Sequence, residues 1–584
     1  MQEILKKLNV LLDKKQKQTM LFMVLMMIFG AVLEACSVSM VIPVVGVVID
    51  ENSIQKYDIV GRVYKALHMQ SVMQFALLMM AALILIFIVK NIYLYWQMKF
   101  MYRFVYTNQF RTSERMMKNY LRKGYEFYLN ADTAVIQRNI TSDVNNMYAL
   151  ILSLLQLISE IIVFVVLLGV MVASDWKMTI VIALPLLLTL FIIKKVVKPI
   201  MNRAGKENQD FYSGLFKWIS QTVQGIKEVK IAGKEQYFTE EYIKCGRGYV
   251  NAVQKYTLYN SIPRLLIETV CIASLVGYMM ILVSKGESVK EVTAVLSAFV
   301  VAAVRMMPCA NRINNQLTSM AFYQPFFMGV SDNLQDEISG ENTDMSFAVV
   351  AKEKLPVKKS IELRDITYHY PGAEPLIFDH ANMEIPVGAA VGIVGTSGAG
   401  KTTIVDILLG LLEIRTGGVY ADGVSIKENY RSWLKNVGYI PQMIFMLDDT
   451  IRKNVAFGIA EEEIDEKRLW EVLKEAQLDE FVRSLPDGVN TSIGERGIRI
   501  SGGQRQRIGI ARALYYDPEV LILDEATSAL DNDTEAAIMD SINSLHGRKT
   551  LIIIAHRLQT IEKCDMIYRV EGGKAVLERG RNTA

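Results

Sequence analysis

With 584 residues the chain is too long for one hydrophobic core, so at least two domains are expected. A net charge of +3 is too small to point to a nucleic-acid partner, and five cysteines without CxxC spacing (Cys36, Cys245, Cys271, Cys309, Cys564) read as free thiols, not a disulfide or zinc framework. Hydrophobic residues make up 51% and charged residues 21%, yet these averages and the mean hydropathy of +0.22 hide a contrast. Residues 1–330 carry long apolar runs, whereas 355–584 reads like an ordinary α/β domain.

Residues 1–18 place Ile4, Leu5, Leu8, Leu11 and Leu12 at helical spacing, with Lys6, Lys7, Lys14, Lys15 and Lys17 between and after them. That pattern predicts an amphipathic helix lying on the cytoplasmic membrane face, a frayed basic tail being the alternative. The apolar run that follows is longer than a signal-peptide core, so no cleavable leader is expected. Six spans can be drawn, near 19–49, 71–98, 147–173, 177–194, 258–283 and 290–308. Each meets or approaches the roughly 20 helical residues that a hydrocarbon core of about 30 Å requires. Lysines and arginines crowd the N-terminus, residues 99–123 and residues 194–206, while 174–177 and 284–290 are short with few charges. By the positive-inside rule the N-terminus and both long loops are cytoplasmic.

Between the first two spans, residues 53–68 put Ile54, Tyr57, Val60, Val63, Tyr64 and Leu67 on one helical face. A short amphipathic helix on the outer membrane surface is expected, packing of the stripe against the protein being the alternative. The long loops 99–146 and 195–257 are charged and poor in helix breakers, so they read as membrane helices continuing outwards as paired rods. Their tips, near 125–136 and 212–226, would meet a cytoplasmic partner; a purely structural hairpin is the alternative. Three cations, Lys90, Arg264 and Arg305, fall about 30, 28 and 24 Å inward from the outer ends of spans two, five and six. Cations at membrane depth usually face a cavity or a partner, and three per copy suit an anionic headgroup such as a pyrophosphate. Snorkelling to the interface, with an Arg264–Glu268 pair one turn apart, is the alternative.

The division expected is a transmembrane domain over 1–330, a linker over 331–358 and a nucleotide-binding domain over 359–584. In the last, 363–370 and 389–394 read as strands, and the second runs into Gly395-Thr396-Ser397-Gly398-Ala399-Gly400-Lys401-Thr402-Thr403. Strand, GxxxxGK[ST] loop and helix (402–412) together form a phosphate-binding loop. Its glycines let backbone amides curl around phosphates, Lys401 reaches the terminal ones, and the Thr402 hydroxyl binds magnesium. Val520-Leu-Ile-Leu-Asp524-Glu525 is a buried strand ending in two acids; Asp524 can hold Mg2+ through water, and Glu525 can orient and polarise the attacking water. Ser501-Gly502-Gly503-Gln504 opens a helical stretch and makes a second phosphate site. One domain cannot bring both motifs to one nucleotide, so a head-to-tail dimer is expected, each ATP held between the loop of one copy and the SGGQ of the other.

The order Tyr370, Gly395–Thr402, Gln442, Ser501–Gln504, Asp524–Glu525, Asp531 and His556 resembles the nucleotide-binding domain of the ABC transporter superfamily. With six preceding spans, the whole chain resembles an exporter-type half-transporter, an α-helical membrane domain followed by an α/β P-loop domain. The resemblance implies that Tyr370 stacks on adenine and that Gln442 contacts the magnesium site and relays its state. It also implies that Asp531 crosses the dimer interface, that His556 holds the γ-phosphate, and that Glu495-Arg496-Gly497 touches a coupling loop. Ile500 stands where the family usually has leucine, a conservative departure, and no catalytic position is degenerate, so both sites of a homodimer should hydrolyse ATP.

The membrane half is also similar to the lipid-linked oligosaccharide flippase of bacterial N-glycosylation. The similarity lies in Gly30–Glu34 with Ile42-Pro43, Pro263–Glu268, Arg305–Pro308 with Asn311-Arg312, and the 53–68 stripe. It implies outward flipping of a polyprenyl-pyrophosphate-linked glycan across the plasma (inner) membrane. An exporter of peptides, lipids or drugs would share every nucleotide motif and is the alternative. The fused architecture argues against an importer, and six spans argue against a non-transport ATPase.

Overall fold

The computed structural model describes residues 2–40, 44, 62–65, 71–174, 176–285, 289–335, 353–494, 497–525, 532–554 and 561–580. The chain divides into a helical unit (1–121 with 131–342) and a mixed unit (122–130 with 343–584).

The helical unit consists of long rods. After Lys14–Ser39 come Val72–Arg122, Val144–Ser174, Trp176–Gln224, Glu235–Ser284 and Val289–Asn333. At 1.5 Å per residue the 51-residue Val72–Arg122 helix is about 77 Å long, more than twice a hydrocarbon core. Its apolar first half and charged second half therefore form one continuous rod, as the scarcity of breakers suggests. Within the hydrocarbon region only a helix or a closed barrel satisfies every backbone group, which is why the apolar runs take this form. Among the described residues five helices are long and apolar enough to cross a membrane. The sixth expected span lies on Val289–Asn333, where the side chains of residues 289–305 fall outside the described set.

The N-terminal helix Gln2–Leu11 forms, with a different destination for its stripe. Ile4, Leu8, Leu11 and Leu12 are buried in the helical unit's own core, packing on protein, while Leu5 stays exposed. The helix stops at a reciprocal cap: Gln16 N–H donates to Asp13 Oδ1 (2.7 Å) and Asp13 N–H to Gln16 Oε1 (2.9 Å), starting the next helix. Of the 53–68 stripe only 62–65 is described; it is helical, and Tyr64 packs edge-on against Phe75 at 5.0 Å. At one rod end, Ile226–Ala232 forms a short helix with Ile231 78% exposed.

In the mixed unit, β1 (Ser360–Tyr368), β2 (Phe378–Pro386), β4 (Thr416–Ala421) and β5 (Val424–Ser425) form an antiparallel sheet in the order β2-β1-β4-β5. A second sheet has the order β10-β9-β3-β8-β7-β6, from β3 (Ala390–Val394), β6 (Val437–Ile440), β7 (Val520–Asp524), β8 (Thr550–Ile554), β9 (Met566–Glu571) and β10 (Lys574–Arg579). Strands β3, β7 and β8 are buried at every position, as expected of parallel strands covered on both faces. Because β6, β7, β8 and β3 run parallel side by side, their C-terminal ends open on one edge, where ligands of open α/β sheets bind.

Candidate functional site

β3 ends at Val394 and the chain turns through 395–400 into the helix Lys401–Leu408, shorter than the expected 402–412 because the chain leaves it at Leu409 and Gly410. A Cβ at position 395 would sit 2.6 Å from the Val570 carbonyl oxygen, so the close approach there requires glycine. Gly400 caps the helix with φ +102°, a left-handed conformation that side-chain-bearing residues avoid. Lys401 is 6% exposed, and its ammonium donates to the carbonyls of Gly395 (3.0 Å) and Thr396 (3.1 Å). Thr403 Oγ1 lies 3.0 Å from the Tyr370 hydroxyl, which fixes that ring beside the loop.

β7 delivers the two acids. Asp524 is 3% exposed; the Tyr439 hydroxyl donates to its Oδ2 at 3.4 Å, and its Oδ1 has no hydrogen-bond partner among the described residues. Burial first, and then the neighbouring Glu525 charge, push the Asp524 carboxyl above its usual range, while hydrogen bonds from Tyr439 and Thr402 oppose the rise. Glu525 sits at φ +49°, a strained conformation for a residue with a side chain, and its N–H donates to Ile554 O of β8 (3.1 Å). Gln442, two residues beyond β6, donates its amide to Glu525 Oε2 at 2.7 Å. The structure thus brings together Lys401, Thr402, Gln442, Asp524 and Glu525.

It does not bring Ser501–Gln504 to them. Ser501 caps the helix Gly502–Tyr515 in a reciprocal box with Gln504: Ser501 N–H to Gln504 Oε1 is 2.9 Å, and Gln504 N–H to Ser501 Oγ is 3.2 Å. Ser501 and Gly502 are exposed, and among the described residues neither they nor Gly503 and Gln504 hydrogen-bond to the 395–403 loop. Asp531, His556, Glu495 and Arg496 lie outside the described residues; β8, two residues before His556, ends beside β7 and β3. No trio of His, Cys, Asp or Glu converges among the described residues.

Sequence reasoning missed a cluster beneath this loop. Asp406, on the Lys401–Leu408 helix, is 9% exposed, and burial with the Asp524 charge raises its carboxyl to about 6. The 122–130 segment, which groups with this unit, reaches the same region. Glu126 Oε1 accepts from the Tyr368 hydroxyl (3.2 Å) and from Glu413 N–H (2.9 Å), and the Tyr368 ring meets that of Tyr370 edge-on at 5.3 Å. The only sequence hint was an acid just inside a predicted rod tip.

In the helical unit, Lys90 Nζ stands 4.6 Å above the Phe87 ring, Arg264 is exposed, and the Arg305 side chain falls outside the described set. Among the described residues, Arg312 Nε donates to Glu160 Oε1 at 2.6 Å, an ion pair between two helices.

Two family models match, one described as ABC transporter over residues 378–528 and one as ABC transporter transmembrane region over residues 2–304. The chain is 29% identical over 463 residues to an ATP-dependent lipid A-core flippase of Desulfotalea psychrophila, covering 78% of each chain. It is 31% identical over 441 residues to one of Haemophilus influenzae, covering 74% of this chain and 72% of that protein. Its fold is similar to that of a bacterial Atm1-family ABC exporter with ATP bound, with a TM-score of 0.73 over 96% of this chain and 94% of that one at 20% identity.

Proposed function

Since the chain belongs to the ABC transporters, multi-pass membrane proteins that couple ATP hydrolysis to transport, we propose that it flips an anionic lipid-linked substrate across the plasma (inner) membrane. A polyprenyl-pyrophosphate-linked oligosaccharide is the leading candidate. The observation that carries the flipping step is the extended similarity to proteins named lipid A-core flippases. The lysine and arginine within the spans, Lys90 and Arg264, support an anionic headgroup. The relatives' names also support a second reading, in which the cargo is a lipid without the polyprenyl-pyrophosphate link. In this scheme residues 1–330 translocate, 331–358 link, and 359–584 hydrolyse, with the N-terminus and the ATP-binding unit cytoplasmic.

The motor works as a pair of copies. Tyr370 receives adenine, and Lys401 exchanges the Gly395 and Thr396 carbonyls for phosphate oxygens, aided by the loop amides of 395–403. The residues present fit Mg2+: Asp524 offers a buried oxygen lacking a partner among the described residues, with the Thr402 hydroxyl and Gln442 near it. When bound, the ion neutralises charge on the phosphates. Glu525 orients the water and accepts its proton, while Gln442 senses the Glu525 carboxylate and His556 holds the γ-phosphate. Ser501–Gln504 and Asp531 of the second copy close the site. The exposed Ser501 and Gly502, apart from the loop of their own chain, support that arrangement.

The test of the substrate class is reconstituted flipping beside ATPase. Arg264→Ala with Arg305→Ala is expected to abolish flipping while basal ATPase survives, with Arg305→Lys retaining more function than Arg305→Gln. Normal flipping in the double alanine protein would end the headgroup reading.

A further inference from the structure

Gln442 touches the hydrolytic acid through its 2.7 Å bond to Glu525, and the chain that follows it lies against the helix Gly502–Tyr515. Ile444 uses the missing side chain of Gly509 on that helix: a Cβ there would sit 2.4 Å from Ile444 Cδ1. The next carbonyl, Phe445 O, accepts from Arg512 Nη1 at 2.8 Å, while the Phe445 side chain is 65% exposed. Arg512 also donates Nε–H to Asn454 O (2.7 Å) and Nη2–H to Asn454 Oδ1 (3.1 Å). Its guanidinium lies 4.8 Å from the centre of the Phe457 ring. Asn454 is fully buried and closes the loop: its Oδ1 accepts from Leu447 N–H (2.9 Å), and its amide donates to Leu447 O (3.1 Å) and Thr450 O (3.0 Å). Residues 444–447 are thus tied to the helix at Gly509 and, directly and through Asn454, at Arg512.

Burial alone pulls the Arg512 guanidinium down to about 10, and among the described residues no carboxylate pairs with it. An uncompensated cation in such a place is a poor source of stability. Its planar fork, aimed at three oxygens of the 445–454 stretch, is suited to fixing that stretch in one position. The same helix begins at the exposed Ser501 and Gly502, eleven residues and about 16 Å from Arg512. The reciprocal cap between Ser501 and Gln504 holds that first turn to the helix body, so a displacement of the loop after Gln442 is carried to it.

We propose that Arg512 is a positioning residue that links the two ATP sites of the dimer. It holds the loop after Gln442, which belongs to one site, against the helix whose first turn, Ser501–Gln504, belongs to the other. This inference rests on the head-to-tail pair proposed above, in which Gln442 and Ser501 of one chain serve different nucleotides. Hydrolysis or release at one site then shifts the Ser501 turn at the second.

The experiment measures phosphate release by the full-length protein against ATP concentration for wild type, Arg512→Met and Arg512→Lys. Wild type is expected to show a Hill coefficient above 1, towards the limit of about 2 that two sites allow. Arg512→Met is expected to bring it to about 1 and to lower turnover about tenfold, as loss of a charge-assisted hydrogen bond implies. Thermal stabilisation by ATP-Mg2+ is expected to persist, since Lys401 and the 395–403 loop are untouched. Arg512→Lys keeps a cation without the fork and is expected to fall between the two; it decides the matter if Arg512→Met does not fold. In a Gln442→Ala background Arg512→Met is expected to cost no further turnover, because the two act in series, whereas a merely structural role would cost the same in both backgrounds. A wild-type Hill coefficient of 1, an unchanged coefficient in the Arg512 variants, or additive losses with Gln442→Ala overturns the proposal. Failure of Lys401→Ala and Ser501→Ala proteins to complement each other would remove the head-to-tail pair and this inference with it; complementation with an unchanged Hill coefficient refutes this inference alone.

Discussion

Replacing Glu525 with glutamine tests the hydrolytic assignment with the least disturbance. Glutamine has the same shape, so the left-handed backbone at φ +49° and the Glu525 N–H to Ile554 O bond should persist. What disappears is the capacity to take a proton and the charge that receives the Gln442 amide at 2.7 Å. A positioned general base contributes about 10²–10⁴-fold, or about 3–5 kcal/mol of barrier. Loss of the charge-assisted bond to Gln442 adds about 1.5–3 kcal/mol of altered positioning, not simply additive with the first effect. Hydrolysis should therefore fall by at least about two orders of magnitude. Binding should not follow, because Lys401 and the loop amides are untouched. ATP at about a hundred times its Kd should still stabilise the protein by about 2.7 kcal/mol. Phosphate release and thermal unfolding with and without ATP-Mg2+ measure the two quantities separately. Turnover within a few-fold of wild type would remove Glu525 from water activation, and loss of the ATP-induced stabilisation would make its role structural.

Mixing Lys401→Ala with Ser501→Ala protein should restore part of the ATPase activity each lacks alone, since some mixed dimers carry one intact site; no recovery after demonstrated subunit exchange argues against the head-to-tail pair. Glu126→Ala should leave basal ATPase and the KM for ATP unchanged while abolishing its stimulation by transported substrate. Tyr368→Phe, which removes one hydrogen bond of about 1 kcal/mol, should do so partially, and full stimulation in both refutes a coupling role. Asp406 rises from an ordinary 3.8 to about 6 on folding, so between those values the folded protein holds a proton that the unfolded chain has lost. Stability from this group therefore falls as pH rises through that window and stays lowered above it, by at most about 3 kcal/mol. Asp406→Asn should raise the midpoint of the ATP-binding unit's thermal transition at pH 7.5 by several degrees and leave it unchanged near pH 3.5; an equal shift at both pH values refutes the electrostatic cause.

The ATP site was legible because its chemistry is local. Phosphate binding needs a strand, a glycine turn and a helix start within about a dozen residues, and Val394–Thr403 writes all three consecutively. Asp524 and Glu525 were legible because an aliphatic run followed by two acids, downstream of a phosphate loop, marks a buried strand that delivers carboxylates to the sheet's C-terminal edge. What the sequence hid were relations across the sheet. Nothing in residues 437–442 says that Gln442 will donate to Glu525, since that bond exists only because β6 pairs with β7 in the observed register. Asp406 was hidden differently, as an acid within an aliphatic helix whose burial against Asp524 follows from tertiary packing alone. The first helix was legible as amphipathic, but periodicity cannot say whether its apolar stripe faces lipid or protein, and here it faces protein.

The membrane half gives up less to sequence reading for a physical reason. In lipid an apolar side chain facing outwards and one facing a neighbouring helix cost nearly the same, so the pattern that marks a core in water is flattened. Only charged side chains keep a strong positional signal, and their depth can be counted along a helix while their direction cannot. Lys90, Arg264 and Arg305 were legible by depth alone; Arg312 stood out only within a short similarity, although its partner, Glu160, is on another helix. The same limit applies to the rods. Their length follows from the absence of breakers, but which tip engages the ATP-binding unit depends on side chains such as Glu126, which accepts from the backbone of Glu413 and from Tyr368. That acid sits one residue from Tyr125 and lies, through Tyr368 and Tyr370, two aromatic rings and two hydroxyl contacts from Thr403 of the phosphate loop. If nucleotide occupancy moves Tyr370, this chain of contacts would let the 122–130 segment sense it.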